Sequence, residues 1–484
     1  MSVDLLLIHP GAQHGIYGIL GDALTALEPP TWTRMIAGYI RDRGYKIEII
    51  DAEATRLSPN AVARLVDEIN PKLICIVVAG HQPSASTQQM TGASEIAREI
   101  KRFGEWPIIM TGPHPSALPG RTLREEAIDY VCVGEGPLTI LGLLRGDDRG
   151  AIPGLVYKNG VVVQNKSAPL IEDLDELHGD VWELLPMSAY RAHSWQCLDD
   201  LSQRQPYASI YTTLGCPFKC FFCMINAPFE SNRYRMRRPG SVVEEIERLY
   251  QKYGVKTLKI ADEMFVLAPR HYLAICEGLA ASGLGEIMNI WSYSRVDSIN
   301  PNNLNTLRRG GIRWLALGIE SGSALVRDGA NKKMRTEDIV GTVRAIQDAG
   351  INVIGNFMFG LRDDTKETMQ QTLDLALECR VDWANFYSTM AYPGSALYTE
   401  AVQKGWALPT SWRGYSQHND DCRPLDTDHV RGRDVLAFRD EAFERFFTDH
   451  EYLNHVAGKF GGLARQHIEG MVGYKLKRKI LEMA

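Results

Sequence analysis

Two runs of alternating strand-like and helix-like segments constrain this chain more than any other feature of its 484 residues. In the first run, short apolar stretches occur at Asp4–His9, Lys46–Asp51, Leu73–Ala79, Pro107–Thr111 and Tyr130–Val133. Amphipathic patterns near Thr33–Arg43, Pro59–Ile69 and Thr91–Phe103 separate them. Such alternation predicts a parallel sheet with helices on both faces. The turns after the strands are rich in glycine and proline: His9-Pro10-Gly11, Ala79-Gly80-His81, Thr111-Gly112-Pro113-His114-Pro115 and Gly134-Glu135-Gly136. Ligands of doubly wound sheets sit at these carboxyl ends. The run therefore reads as a binder of something large and flat or phosphate-bearing, with a purely structural domain as the alternative.

A connector follows. Leu155–Val163 reads as a hairpin with an Asn159-Gly160 turn, and the Pro- and acid-rich stretch after it as an extended linker. The second run begins near Tyr207, with strand patterns at Ala208–Thr213, Thr257–Ala261, Asn289–Ser294, Trp314–Ile319, Asn352–Phe359 and Trp383–Tyr387. Helical patterns such as Val242–Tyr253, His271–Ala281, Thr336–Ala349 and Thr365–Glu378 lie between them. Six such units predict a partial barrel, open at one side, rather than the full eight-unit closure. Past Trp406 the alternation stops, and Arg433–Thr448, His450–Phe460 and Gly462–Leu481 read as helices. The expected domains are 1–145 (doubly wound), 146–205 (connector with hairpin), 206–400 (partial barrel) and 401–484 (helical cap).

The first strand of the second run leads into Thr213-Leu214-Gly215-Cys216-Pro217-Phe218-Lys219-Cys220-Phe221-Phe222-Cys223. Thiolates at C-x3-C-x2-C spacing can hold three irons of a [4Fe–4S] cube and leave the fourth open to a small chelating ligand. Three unrelated loop thiols, or a zinc site completed by a distant His, are the other readings. Zinc sites favour paired C-x2-C hairpins, and no second pair exists here. The loop resembles that of the radical S-adenosylmethionine (SAM) superfamily, in which the open iron takes the amino and carboxylate groups of SAM. Phe222, before the last cysteine, fits the same pattern. The resemblance implies reductive cleavage of SAM to a 5′-deoxyadenosyl radical.

The likeness continues along the barrel. It implies that Asp262 and Glu263, after the second strand, receive the SAM amino group, whose remaining hydrogens need an acceptor. It implies a carboxylate or ribose contact from Arg295 and a SAM hydroxyl contact from Glu320. A doubly wound domain ahead of such a barrel resembles the cobalamin-binding subclass of this superfamily. Cobalamin contacts are then expected from Gly11, Gly80, Gly112, Pro113, His114, Gly134, Glu135 and Gly136. Many cobalamin domains supply an axial His from a D-x-H-x-x-G turn. Here Ala12-Gln13-His14-Gly15-Ile16-Tyr17 places Ala12 and Tyr17 where Asp and Gly would stand. The cobalt is therefore expected to lack a His ligand, with His14 as an off-pattern alternative. His81 and His114 read as loop hydrogen-bonders, since a His without a carboxylate partner is poor evidence of ligation.

The function expected is cobalamin-dependent radical SAM methylation of an unactivated carbon in a small-molecule or natural-product substrate. The radical would abstract a hydrogen, methylcobalamin would supply the methyl group, and a second SAM would remethylate the cobalt. A cyclase or rearrangement enzyme with the same cofactors is the first alternative, and a non-catalytic cobalamin sensor the second. No residue is assigned as the catalytic acid or base. An electron donor such as flavodoxin or ferredoxin is the expected partner. The net charge of −6 gives no general basic field for nucleic acid. One basic cluster, Arg233-Tyr234-Arg235-Met236-Arg237-Arg238, reads either as a solvated loop or as a phosphate or carboxylate contact. The six cysteines outside the loop are scattered singly, which is thiol usage for a reducing cytoplasm. No apolar run reaches the length of a membrane span. The opening residues read as a first strand rather than a signal peptide. Trp406, Trp412, Arg413 and Tyr415 are candidate substrate contacts in the cap.

Overall fold

The computed structural model describes residues 3–11, 16–18 and 20–482. Its first sheet has seven strands, β1 (Leu5–His9), β2 (Ile47–Asp51), β3 (Leu73–Val77), β4 (Ile108–Thr111), β5 (Tyr130–Cys132), β6 (Leu155–Asn159) and β7 (Val161–Gln164). Their order is β2-β1-β3-β4-β5-β6-β7, and β1 to β5 are parallel. β1 and β3 are buried along their whole length. That is why both read as unbroken apolar runs rather than as alternating ones. Local signals fix the crossovers. Pro59–Ile69 starts on Ser58, whose hydroxyl accepts from Ala61 N at 3.2 Å, and stops at Asn70 in the left-handed region. The hairpin expected in the connector pairs antiparallel with β5, Val131 opposite Val156, and lengthens the first sheet.

The second sheet contains β8 (Tyr207–Ile210), β11 (Thr257–Ile260), β12 (Asn289–Arg295), β13 (Ile312–Glu320), β14 (Asn352–Phe359) and β15 (Trp383–Ser388). All six are parallel, in the order β15-β14-β13-β12-β11-β8, with no pairing of β15 to β8 to close a barrel. A two-residue ladder, β9 (Thr213–Leu214) against β10 (Arg235–Met236), stands beside β8. Carboxyl ends of both sheets meet across one interface, where Arg34 of the first domain donates to Ser209 O at 3.0 Å.

The cap folds as Gly432–Phe447, His450–Phe460 and Gly462–Val472, then a short turn at Lys479–Glu482. The long final helix expected from the sequence ends eight residues after Ala464, at Val472. Gly432–Phe447 lies on β15 through rings, Trp383 against Phe447 at 5.0 Å and Phe386 against Phe446 at 5.6 Å. Among the described residues no helix is long and apolar enough to cross a membrane.

Candidate active site

The chain's own backbone and side chains shape the cysteine loop. Gly215, at φ +87°, turns the chain out of β9; a Cβ there would lie 2.1 Å from Arg233 O. Antiparallel pairing of β9 with β10 closes the loop at its base. Inside it, Asn226 grips the first cysteine twice: Cys216 N donates to Asn226 Oδ1 at 3.2 Å, and Asn226 Nδ2 donates to Cys216 O at 2.8 Å. Asn232 Nδ2 donates to Phe218 O at 3.1 Å. Phe221 N donates to Ala330 O, and Leu397 N to Phe221 O, so the tip hangs from two further barrel segments. The thiols of Cys216, Cys220 and Cys223 are free and half-buried. Burial pushes Cys216 up to about 11 and Cys223 up to about 12, so both are thiols at neutral pH and a metal must displace their protons.

All three cysteines line one cavity of about 650 Å³. Its other walls are Gly80–Gln82 of the first domain, the carboxyl ends of the barrel strands, and Arg439, Phe443 and Tyr474 of the cap. Glu263 faces this space. Its two carboxyl oxygens are buried and, among the described residues, lack a hydrogen-bond partner of good geometry. Burial raises its pKa to about 8, and the backbone amides of Glu263 and Gly215 offset this only in part. Asp262 points the other way. It is fully buried and accepts from Thr212 N at 2.6 Å and from the Thr212 hydroxyl. Arg295 forms a bidentate pair with Asp297 at 2.8 Å, lies 4.0 Å over the Phe218 ring, and directs Nη1 at Cys220 Sγ, 3.7 Å away. Glu320 sits at a bulge in β13 with φ +67° and pairs with Lys332 Nζ at 2.5 Å. Phe222 lines the cavity beside the cysteines.

Residues 210–376 match the radical SAM superfamily, and residues 18–144 match the B12 binding domain. The chain belongs to the cobalamin-binding radical SAM family. It is 29% identical to an uncharacterized methyltransferase of Pyrococcus horikoshii over 421 residues, 86% of each chain. It is 28% identical to the anaerobic magnesium-protoporphyrin IX monomethyl ester cyclase of Rubrivivax gelatinosus, over 93% of this chain and 78% of that one. The fold resembles the radical SAM methyltransferase TsrM of Kitasatospora setae, solved with cobalamin and a [4Fe–4S] cluster bound. There the TM-score is 0.69 at 17% identity, covering 91% of this chain and 88% of that one. The cofactors are a [4Fe–4S] cluster, SAM and cobalamin.

The residues present fit this family's cluster and SAM: three free thiols line one cavity with a carboxyl whose buried oxygens find no partner among the described residues. On the cobalamin side, the expected residues all stand at carboxyl ends of the first sheet, but only Gly80 lines the large cavity. Gly112, at φ +122°, passes so close to β3 that a Cβ would lie 2.2 Å from Val78 O. Pro113 and His114 open a short helix. The His114 ring is fully buried, bonded to Thr87 Oγ1 at 3.0 Å and packed edge-on against Trp412 at 4.6 Å. Gly134 and Gly136 flank Glu135, which makes a buried pair with Arg235 at 2.6 Å. Gly11 packs against Ala52. His14 lies outside the described residues.

Other expectations need correction. The basic cluster is half solvated, with Arg233 and Arg238 exposed and Arg235 and Arg237 buried, and all four arginines are already paired with carboxylates. Arg233, Arg235, Arg237 and Arg238 pair with Glu172, Glu135, Glu245 and Asp175, each at 2.6 Å. Trp406, Trp412, Arg413 and Tyr415 stay out of the cavity, and Trp412 packs against the first domain instead. His81 has the carboxylate neighbour that the sequence reading denied it, Glu53, at 3.5 Å. Sequence reasoning missed Asn226, Lys332 and Lys259. Lys259 is buried in β11 and reaches across the interface to Glu28 Oε2 at 2.8 Å and His81 O at 2.7 Å. Only its place at a strand end could have marked it.

Proposed function

We propose that this chain is a cobalamin-dependent radical SAM methyltransferase that adds a methyl group to an unactivated carbon of a small molecule. The observation that carries this reading is the shared cavity. The rim of the cobalamin-binding domain at Gly80–Gln82 and the cysteine loop of the barrel open into the same 650 Å³ space. Methyl transfer needs a hydrogen-abstracting centre and a methyl source within reach of one substrate carbon. The methyltransferase relative, matched over 86% of both chains, supports the same reading.

When bound, the cluster with SAM supplies a carbon radical, and cobalamin supplies the methyl group. The chain's own residues hold and orient. Cys216, Cys220 and Cys223 give three thiolates, and Asn226 fixes the first of them by its backbone. Glu263 offers an unshared carboxyl group as acceptor for the hydrogens left on the SAM amino nitrogen, and hydrogen bonds donated there favour its ionised form. Asp262 positions rather than contacts, tying the end of β11 to the turn after β8 through Thr212. Arg295 places a positive charge beside Cys220, and Glu320 is held at the rim by Lys332. Arg439, Phe443 and Tyr474 face the substrate's side of the cavity. A flavodoxin or ferredoxin donates the electron, and the nine free cysteines suit a cytoplasmic setting.

The cyclase relative supports a second reading, oxidative cyclisation without methyl transfer. Turnover with SAM carrying a deuterated methyl group separates the two. Methyl transfer yields labelled product, with S-adenosylhomocysteine and 5′-deoxyadenosine in about equal amounts, since one molecule of SAM serves each end of the reaction. A product without label, formed with 5′-deoxyadenosine alone, would establish the cyclase reading instead.

A further inference from the structure

Three successive strand ends of the first sheet carry side chains that converge on one another. β1 ends on His9, the turn after β2 carries Glu53, and the turn after β3 carries His81. His9 Nε2 lies 3.1 Å and His81 Nε2 3.5 Å from the same atom, Glu53 Oε2. The three ligand atoms fall within 4.8 Å of one another. A tetrahedral ion with bonds of about 2.0–2.1 Å sets neighbouring ligand atoms about 3.3 Å apart, and the two measured spacings bracket that value. The strand order β2-β1-β3 reverses direction here. Parallel sheets of this order bind ligands at that reversal, outside the carboxyl ends.

Hydrogen bonding alone leaves the cluster unfinished. The Glu53 side chain is 2% exposed, yet among the described residues its Oε1 has no partner and the buried His81 Nε2 makes no hydrogen bond. Buried polar atoms in folded proteins are overwhelmingly satisfied. A His9–Glu53 hydrogen bond explains one contact of this group; a cation held by all three side chains explains the convergence of both imidazoles on one oxygen. The surroundings are built to hold the ligands still. Asp51 accepts from Glu53 N at 3.1 Å and Ala54 N at 2.9 Å, and Tyr190 OH donates to it at 2.7 Å, which fixes the turn that carries Glu53. Lys259 Nζ fixes the backbone of His81. Support of this kind orients metal ligands. A separate cavity of about 30 Å³, lined by His9 and His81 with Pro29, Ser209 and Tyr211, has room for a water beside the two histidines.

We propose that His9, Glu53 and His81 form a mononuclear zinc site, distinct from the iron–sulfur cluster, that fastens three strand-end loops at the domain interface beside the expected cobalamin contacts Gly11 and Gly80. Two imidazoles and one carboxylate are donors that suit Zn²⁺, and they leave a coordination position open to water. The test uses the full-length protein with its cluster and cobalamin in place. It is incubated with Zn²⁺, desalted, assayed for zinc and iron together, and examined at the zinc X-ray absorption edge. The site predicts about one zinc per chain, with nitrogen and oxygen ligands at about 2.0–2.1 Å, imidazole scattering and no sulfur. Glu53→Gln and His81→Asn should each retain at least about tenfold less zinc, while iron stays at about four per chain. Loss of iron as well would mark a variant as misfolded, and the wild-type absorption spectrum then decides alone. Failure to retain zinc, a sulfur shell near about 2.3 Å (zinc on the cysteine loop), or unchanged zinc in both variants would overturn the assignment.

Discussion

Replacing Glu263 by Gln should raise the stability of the cofactor-free protein while weakening its hold on SAM. Burial lifts this carboxyl from an ordinary 4.5 to about 8, so the folded chain keeps it protonated at neutral pH where the unfolded chain ionises it. The sign follows from linkage. Below about pH 4.5 both states are protonated and Glu263 exacts no penalty. Between 4.5 and 8 the folded state loses about 1.4 kcal/mol for each pH unit, and above 8 the loss is constant. At pH 7 the penalty is on the order of 3 kcal/mol. An amide of the same shape does not titrate, so Gln removes that penalty. The same change removes the anion that accepts from the SAM amino group. A charge-assisted hydrogen bond is worth about 1.5–3 kcal/mol, or roughly tenfold to 150-fold in affinity. Two measurements check this: denaturation midpoints of cluster-free wild type and variant from acid to mildly alkaline pH, and equilibrium binding of SAM to the reconstituted proteins. The variant's advantage should grow with pH and vanish near pH 4.5, alongside weakened SAM binding. A variant that is less stable than wild type at pH 7 and binds SAM equally well would refute the reasoning.

Replacing Cys216, Cys220 and Cys223 together by Ala should abolish both the bound iron, about four per chain in the wild type, and 5′-deoxyadenosine formation; iron retained in that variant would remove the cluster from this loop. Asn226→Ala deletes both hydrogen bonds to the Cys216 backbone. It should shorten the cluster's lifetime under a chelator severalfold, with little change in melting temperature; an unchanged lifetime would show that the loop needs no such grip. Asp382 is buried. Burial alone would raise its pKa, but His455 at 2.9 Å and Lys459 at 2.6 Å hold it below 3.8. Its contribution is therefore present above about pH 4 and lost as pH falls through the depressed value. Asp382→Asn should cost about 2 kcal/mol at pH 7 and much less near pH 3, read from melting midpoints at the two pH values.

Which features could be read from the chain follows from the range of the signal. The cysteine loop is contained in eight residues, and β1 and β3 are so fully buried that composition alone marks them. The adjacent acids Asp262 and Glu263 were legible as a pair but not as opposites. Successive residues at a strand end face opposite ways, and only the position of Thr212 shows which one turns inward. The arginine cluster misled for a related reason, because its four carboxylate partners come from three other segments of the chain. His9, Glu53 and His81 are brought together by strand order, and no local spacing encodes strand order. The Lys259–Glu28 pair, 231 residues apart, is beyond any pattern.

The pair between Arg235 and Glu135 ties the two halves of the chain together. Arg235 lies in the ladder that closes the cysteine loop, and Glu135 lies on the rim of the first sheet; both side chains are about 5–6% exposed. Arg235 also donates to Ile171 O, and Glu135 accepts from Ile171 N at 2.9 Å. Removing either partner would leave the other charge buried without its counterion, at a cost of about 3–5 kcal/mol. Loop and rim are thus one unit, and a change made at Glu135 in the first domain is felt at the base of the cysteine loop in the second.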